Sequence, residues 1–236
     1  QMLVALNPIH KFNNIKKIVV SSYQSVSGAG QKSINELKAQ SENLLKGEQI
    51  NCKNFPKQIA FNVIPQIDIF LENKYTKEEM KMVNETKKIL DSNINVNATC
   101  VRVPTNIGHA ESIYIELKEN SKLEDLEQLY TNAEGVSYSA TDYHTPVDCA
   151  NTDWVYVSRF RKDLAKIISQ ETGFKGQIKW DTSKPSGDKI RVMSMERAKN
   201  SGFECKTNLE EGVKQTIYWY LNNKQNLDEL KYNSFK

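Results

Sequence analysis

The sequence predicts an α+β fold: a mixed, largely antiparallel sheet with helices on one face, followed by a small, mostly helical α/β segment. Three observations carry this. Short β-branched or alternating runs recur up to about residue 162, such as KIVVSSYQSVS and SIYIEL. Amphipathic stretches with apolar residues at helical spacing lie between them. After residue 162 the texture changes to helical segments around one short strand and a KPSGDK turn. The expected division is therefore 1–162 and 163–236, without a Pro/Gly/Ser linker, an internal repeat or a low-complexity tract.

In chain order, MLVALNPIHKF (2–12) suits the last turns of a buried helix, and residues 16–27 a strand running into a small-residue loop. Residues 31–46 place Ile34, Leu37, Leu44 and Leu45 at helical spacing, and QIAFNVIPQID (58–68) reads as a second strand ending near Pro65. Residues 76–90 carry Thr76 followed three residues later by Glu79, a capping-box pattern that makes this the clearest helix. Strands follow at 97–103 and 112–117, a helix at 122–132, and two more strands in GVSYSATD and DWVYVSRFR. Beyond 162, helices are expected at 163–174, in SMERAKNSGF and at 209–225, with a strand in QIKWDTS.

Composition narrows the function classes. The 236 residues are 39% hydrophobic and 26% charged, with a net charge of +3, an ordinary globular balance. Mixed charges of this size leave no electrostatic footprint for nucleic acid or an anionic membrane. Four scattered cysteines without a CxxC pair suggest a reduced, cytoplasmic protein with no disulfide framework and no metal site. No leader of charged and apolar residues opens the chain, and Gln1 inside an apolar helical stretch suggests a fragment.

Two stretches could carry chemistry. Ser27, Gly28, Ala29 and Gly30 lie between a strand and a helix, so they form either a plain turn or a loop whose amides approach an anionic ligand. In CVRVPTNIGHAESIYIEL (100–117), Arg102 and His109 flank Pro104 and Gly108, which argue against a helix. Along one straight strand the two would lie roughly 23 Å apart, at about 3.3 Å per residue. Either they are unrelated, or the chain doubles back to join a carboxylate-binding fork to a titratable imidazole. Glu79 with Lys81 is a further pair, which by itself reads first as an exposed helix face. His144 and Cys149 carry weaker signals.

YQSVSGAG, TKEEMKMVNETKKIL, CVRVPTNIGHAESIYIEL and HTPVD…YVSRFR, in this order, resemble aspartate-β-semialdehyde dehydrogenase over about 1–162. The resemblance implies a semialdehyde-dehydrogenase dimerisation-domain fold, NADP as cofactor, and the reductive dephosphorylation of β-aspartyl phosphate to aspartate semialdehyde. That reaction belongs to lysine, threonine and methionine biosynthesis. It further implies His109 as general acid/base, Gln24 orienting the substrate, Arg102 on its carboxylate, Glu79 on its amino group and Lys81 on phosphate. Ser27 and Gly28 are expected at the cofactor. A homo-oligomer through the first domain is expected as well, with a small-molecule substrate. The family's nucleophilic cysteine lies a few residues before the segment matching QMLVAL, and its cofactor domain precedes that, so the chain as given is expected to be inactive alone. Cys100 is expected to be core packing rather than a substitute nucleophile.

Residues 163–223 instead resemble the C-terminal end of GDP-L-fucose synthase, through DTSKP-G, GF-x-x-K-T-x-LEEG and the final aromatic helix. That family's Asp is Ser186 here, and its basic position is Arg191. Alternative readings are therefore a nucleotide-sugar epimerase/reductase fragment, or a non-catalytic dimerising module from a chimeric reading frame.

Overall fold

The computed structural model describes residues 1–174, 202 and 206–230. The chain divides into two compact units, Gln1–Phe160 and Arg161–Lys236. In the first, helix α1 (Met2–Phe12) leads into β1 (Ile15–Gln24), a 3-10 turn at Val26–Ala29, and α2 (Gln31–Leu45). Helix α3 (Lys77–Ile89) then precedes β2 (Asn95–Arg102) and β3 (His109–Leu117). After these come α4 (Leu123–Gln128), a 3-10 turn at Leu129–Asn132, β4 (Val136–Ser139) and β5 (Val155–Ser158).

Strand β1 is central, with β2 parallel on one side and β3 antiparallel on the other. The sheet is mixed, as expected, but β4 and β5 also pair in parallel, so the pairings do not lean antiparallel. The reason is connection length: residues 25–94, with two helices, carry the chain from the end of β1 back to the start of β2. A long crossover permits a parallel neighbour where a tight hairpin would not.

The alternation of β1 drives its packing. Ile18 and Val20 are buried on the face that receives Met2, Leu6 and Ile9 of α1, in a cluster with Ile15, Ile94, Ala98, Leu126, Tyr130 and Val136. Helix α3 is the clearest case of local sequence dictating structure. Thr76 Oγ1 accepts from the Glu79 amide at 3.3 Å, and Glu79 Oε2 accepts from the Thr76 amide at 2.7 Å, forming the expected capping box.

One expected strand is not there. Residues 58–68 form turns, with positive φ at Phe61 (57°) and Asp68 (67°) and a single bridge from Ile64 to Arg102. Ile59, Ala60, Ile64 and Ile67 are buried all the same. Gln40 of α2 explains part of this, because its Oε1 accepts from the amides of Ile59 (2.9 Å) and Ala60 (3.2 Å). Backbone donors that would join a ladder are satisfied by a side chain instead.

In the second unit, α5 (Leu164–Glu171) and α6 (Leu209–Leu230) appear where helices are expected. Lys162 pairs with Glu210 at 3.0 Å, and Lys214 reaches both Glu171 (3.7 Å) and Glu210 (3.5 Å). The strand expected in QIKWDTS, the following turn and most of the SMERAKNSGF helix lie outside the described residues. Among the described residues, no helix is long and apolar enough to cross a membrane.

Candidate active site

Strand register answers the question raised by Arg102 and His109. Gln24, the last residue of β1, pairs with Arg102 on β2 and with His109 on β3. All three therefore stand in one row at one end of the sheet, with Arg102 and His109 about 10 Å apart in backbone at two strand spacings. The connection 103–108 crosses the end of β1, held by the Val103 amide donating to Gln24 O (3.0 Å) and the Val26 amide to Thr105 O (2.9 Å). Gly108 makes the return possible: its φ is +81°, and a Cβ there would lie 2.8 Å from Pro146 O. This also gives the HTPVD stretch a place, packed behind the residue that precedes His109.

The 3-10 turn closes over the row. Arg102 Nη1 donates to Ser25 O at 2.6 Å, and the Ser25 amide donates to His109 Nδ1 at 3.2 Å. Gly28 sits where the two side chains converge: a Cβ there would lie 3.1 Å from Arg102 Nη1 and 3.6 Å from His109 Nε2. The missing side chain thus leaves room between a guanidinium and an imidazole. Ser27 Oγ lies 2.9 Å from Ser25 Oγ, at the edge of the same turn.

Electrostatics follow from this enclosure. Burial works against the charge on Arg102, and the Glu78 carboxylate supports it. Partial burial also pushes the His109 pKa below its ordinary value; a hydrogen bond to the Gly108 carbonyl opposes this, Arg102 reinforces it, and Glu78 opposes it by less. The ring is thus biased towards its neutral form.

Helix α3 divides its two glutamates between two tasks, and here the sequence expectation is corrected. The Glu79 carboxylate is buried and committed to backbone, accepting from Thr76 N and, at 2.9 Å, from Cys100 N. Glu78 is the residue that faces the row. Its Oε1 accepts from Gln24 Nε2 at 3.4 Å, and its Oε2 lies 3.7 Å from Lys81 Nζ. The signal was present in the sequence: a glutamate at N3 of a capping box is already used, whereas Glu78 and Lys81 share a face at i,i+3. Ser25 is the second residue missed, because nothing in its spacing reveals that it touches both Arg102 and His109.

Cys100 is fully buried, with its Sγ 3.4 Å from Met82 Sδ, and desolvation pushes its thiol up to about 11. A thiol so disfavoured as thiolate is a packing group, not a nucleophile. At the other end of the row, Gln1 Nε2 donates to the His109 backbone carbonyl at 3.0 Å, so the head of α1 lies beside the start of β3.

Residues 6–169 match the family described as semialdehyde dehydrogenase, dimerisation domain. The chain belongs to this family. It is 52% identical over 169 residues to an aspartate-semialdehyde dehydrogenase of Shewanella violacea, covering 70% of this chain and 50% of that protein. A Bacillus subtilis aspartate-semialdehyde dehydrogenase is 45% identical over 177 residues. The crystal structure of aspartate semialdehyde dehydrogenase II from Vibrio cholerae superposes with a TM-score of 0.69 at 47% identity, over 70% of this chain and 50% of that one. The chain spans about half the length of the curated relatives it matches. The family match continues past Lys162, into residues that the sequence assigns to a second segment. The resemblance of 163–223 to GDP-L-fucose synthase finds no support in these relatives, and residues 175–201, with Ser186 and Arg191, lie outside the described residues.

Proposed function

We propose that residues 1–162 are the catalytic and dimerisation part of an NADP-dependent aspartate-semialdehyde dehydrogenase, which makes aspartate semialdehyde by reductive dephosphorylation of β-aspartyl phosphate. The observation that carries this is the row Arg102–Gln24–His109 beneath Gly28, with Glu78 and Lys81 alongside. A zwitterionic, phosphorylated substrate needs a cation for its carboxylate, an anion for its ammonium and a donor for phosphate. Arg102, Glu78 and Lys81 supply these at three corners, with the ammonium role moved from Glu79 to its neighbour.

Gln24 orients the substrate carbonyl from the centre of the row, and His109 holds or moves a proton at its Nε2 edge. The attacking thiolate comes from the cysteine that the family resemblance places before Gln1, and Gln1 lies beside His109. Ser27 and Gly28 fit a cofactor site, because Gly28 and Gly30 are exposed and carry no Cβ of their own. When bound there, NADP supplies or accepts the hydride. For the homo-oligomer, we assign the contact to the sheet face opposite the helices, where Val19, Tyr23, Asn97, Thr99 and Ser112 alternate outward.

The test joins this chain to the N-terminal half of the Shewanella violacea relative. The chimera should reduce NADP with aspartate semialdehyde and phosphate. Arg102→Leu in that chimera should weaken semialdehyde binding by about 10- to 150-fold, the equivalent of about 1.5–3 kcal/mol for a charge-assisted hydrogen bond. A folded, dimeric chimera without turnover would overturn the proposal, and unchanged apparent affinity in Arg102→Leu would remove the carboxylate clamp.

A further inference from the structure

Ser25 makes an unusual set of contacts for one buried residue. Its carbonyl accepts from Arg102 Nη1 at 2.6 Å, and its amide donates to His109 Nδ1 at 3.2 Å. Its hydroxyl lies 3.3 Å from the same Nδ1 and 2.9 Å from Ser27 Oγ. An amide N–H can only donate. A neutral imidazole that receives it must therefore leave Nδ1 bare and carry its single proton on Nε2. Nε2 is on the Gly28 side of the ring, 3.6 Å from where a Cβ on that residue would lie.

We propose that Ser25 is a positioning residue that selects the protonation chemistry of His109. Its amide holds the neutral ring as the Nε2–H tautomer, and its hydroxyl receives the Nδ1 proton when the ring becomes imidazolium. In that second state Nδ1–H donates to Ser25 Oγ, and the Ser25 hydroxyl proton turns to Ser27 Oγ. No bond to oxygen breaks; one proton is gained at Nδ1 and the two hydroxyls reorient. At rest the ring accordingly offers the site a donor, so the ligand atom facing Nε2 is an acceptor oxygen. This rests on the proposed function only for its meaning in turnover.

The charged side chains facing His109 are Arg102 from β2 and Glu78 from α3. The loop behind Gly108 carries His144 and Asp148, whose carboxylate is engaged by the Thr145 amide and hydroxyl. Substituting Ser25 or Ser27 alters none of these charges.

The test is long-range 1H–15N correlation on the 236-residue chain labelled with 15N-histidine, followed through pH. Only three histidines are present, and His109→Gln identifies the relevant signal. The neutral His109 ring should carry its proton on Nε2 in the parent chain and in Ser25→Ala, which keeps the amide. Ser25→Ala should weaken proton binding at His109 about three- to tenfold, through loss of the Nδ1–H acceptor. Ser27→Ala should act in the same direction by less. A neutral ring protonated on Nδ1 in the parent chain overturns the proposal, as does unchanged or tighter proton binding in Ser25→Ala. Should Ser25→Ala not fold, the parent tautomer and Ser27→Ala decide: unchanged proton binding in Ser27→Ala then counts against it. The outcome is separate from the chimera assay, since the tautomer is read without turnover and a wrong tautomer leaves turnover possible.

Discussion

The face of the sheet that meets the helices has two ends built from the same three strands. At one end the rows are Val96–Ile18–Ile115 and Ala98–Val20–Ile113; at the other they are Cys100–Ser22–Glu111 and Arg102–Gln24–His109. The first pair is packed under α1, α3 and α4, and the second lies beneath the Ser25–Gly28 turn. Alternation continues unbroken through both, so the strand geometry is the same and only the side chains change. The apolar rows hold the sheet in place, and the polar rows use that rigidity to bring a guanidinium and an imidazole to one opening. Arg102 and Gln24 are buried there with partners, Ser25 O and Glu78 Oε1, while His109 stays exposed; a buried polar group without a partner would cost about 1–3 kcal/mol.

The sharpest way to break this comparison is at the apolar end. Ile18 is fully buried in the central strand, and Ile18→Ala should lower unfolding free energy by about 2–5 kcal/mol, a lost transfer energy plus a cavity. Urea unfolding measures it. A loss below about 1 kcal/mol would mean that this end is not the anchor of the sheet.

The two glutamates of α3 sharpen it next. Both Glu79 oxygens accept from backbone amides, so Glu79→Gln must present an amide group to one of those donors, at a cost of about 1–3 kcal/mol. Glu78→Gln leaves those contacts alone and should stay within about 0.5 kcal/mol of the parent in stability. Its effect should be on ligand affinity at the row instead. If the two variants behave alike in both measurements, the division of labour between these neighbours is wrong.

Much of the fold was legible because its signals are local. The capping box of α3, the alternation of β1 and β3, and the helical spacing in α2 each lie within one element, where short-range chemistry decides the outcome. Residues 58–68 show the opposite case. Their alternating apolar residues are buried, but through turns, because Gln40 from α2 takes two of the amides that a strand would pair. The site was legible only in part for the same reason. The separation of Arg102 and His109 along the chain says nothing of their meeting, which is set by Gln24, some eighty residues earlier in the central strand. Glu79 is a different case: as the N3 residue of the capping box its carboxylate is held by backbone amides, and this leaves Glu78 to face the row.

The smallest expected effect separates the polar end by pH. His109 has a folded-state pKa below the ordinary imidazole value of 6.5, first because of burial and further because of Arg102. Below about 6.5 the unfolded chain therefore binds more protons at this residue than the folded one, and stability rises with pH there. The contribution is present above the unfolded value and is lost as pH falls through the folded one. His109→Gln cannot titrate, so its unfolding free energy should fall less steeply than the parent's between pH 7 and 5. Glu78→Gln should act in the other direction: removing the carboxylate that favours the imidazolium lowers the folded pKa further and extends the acid loss to lower pH. Ile18→Ala, at the apolar end, should shift the whole curve down without changing its slope. Matching slopes for the parent and His109→Gln would show that the imidazole is as free to protonate in the folded chain as in the unfolded one, and the enclosure by Ser25, Gly28 and Arg102 would then be looser than the geometry requires.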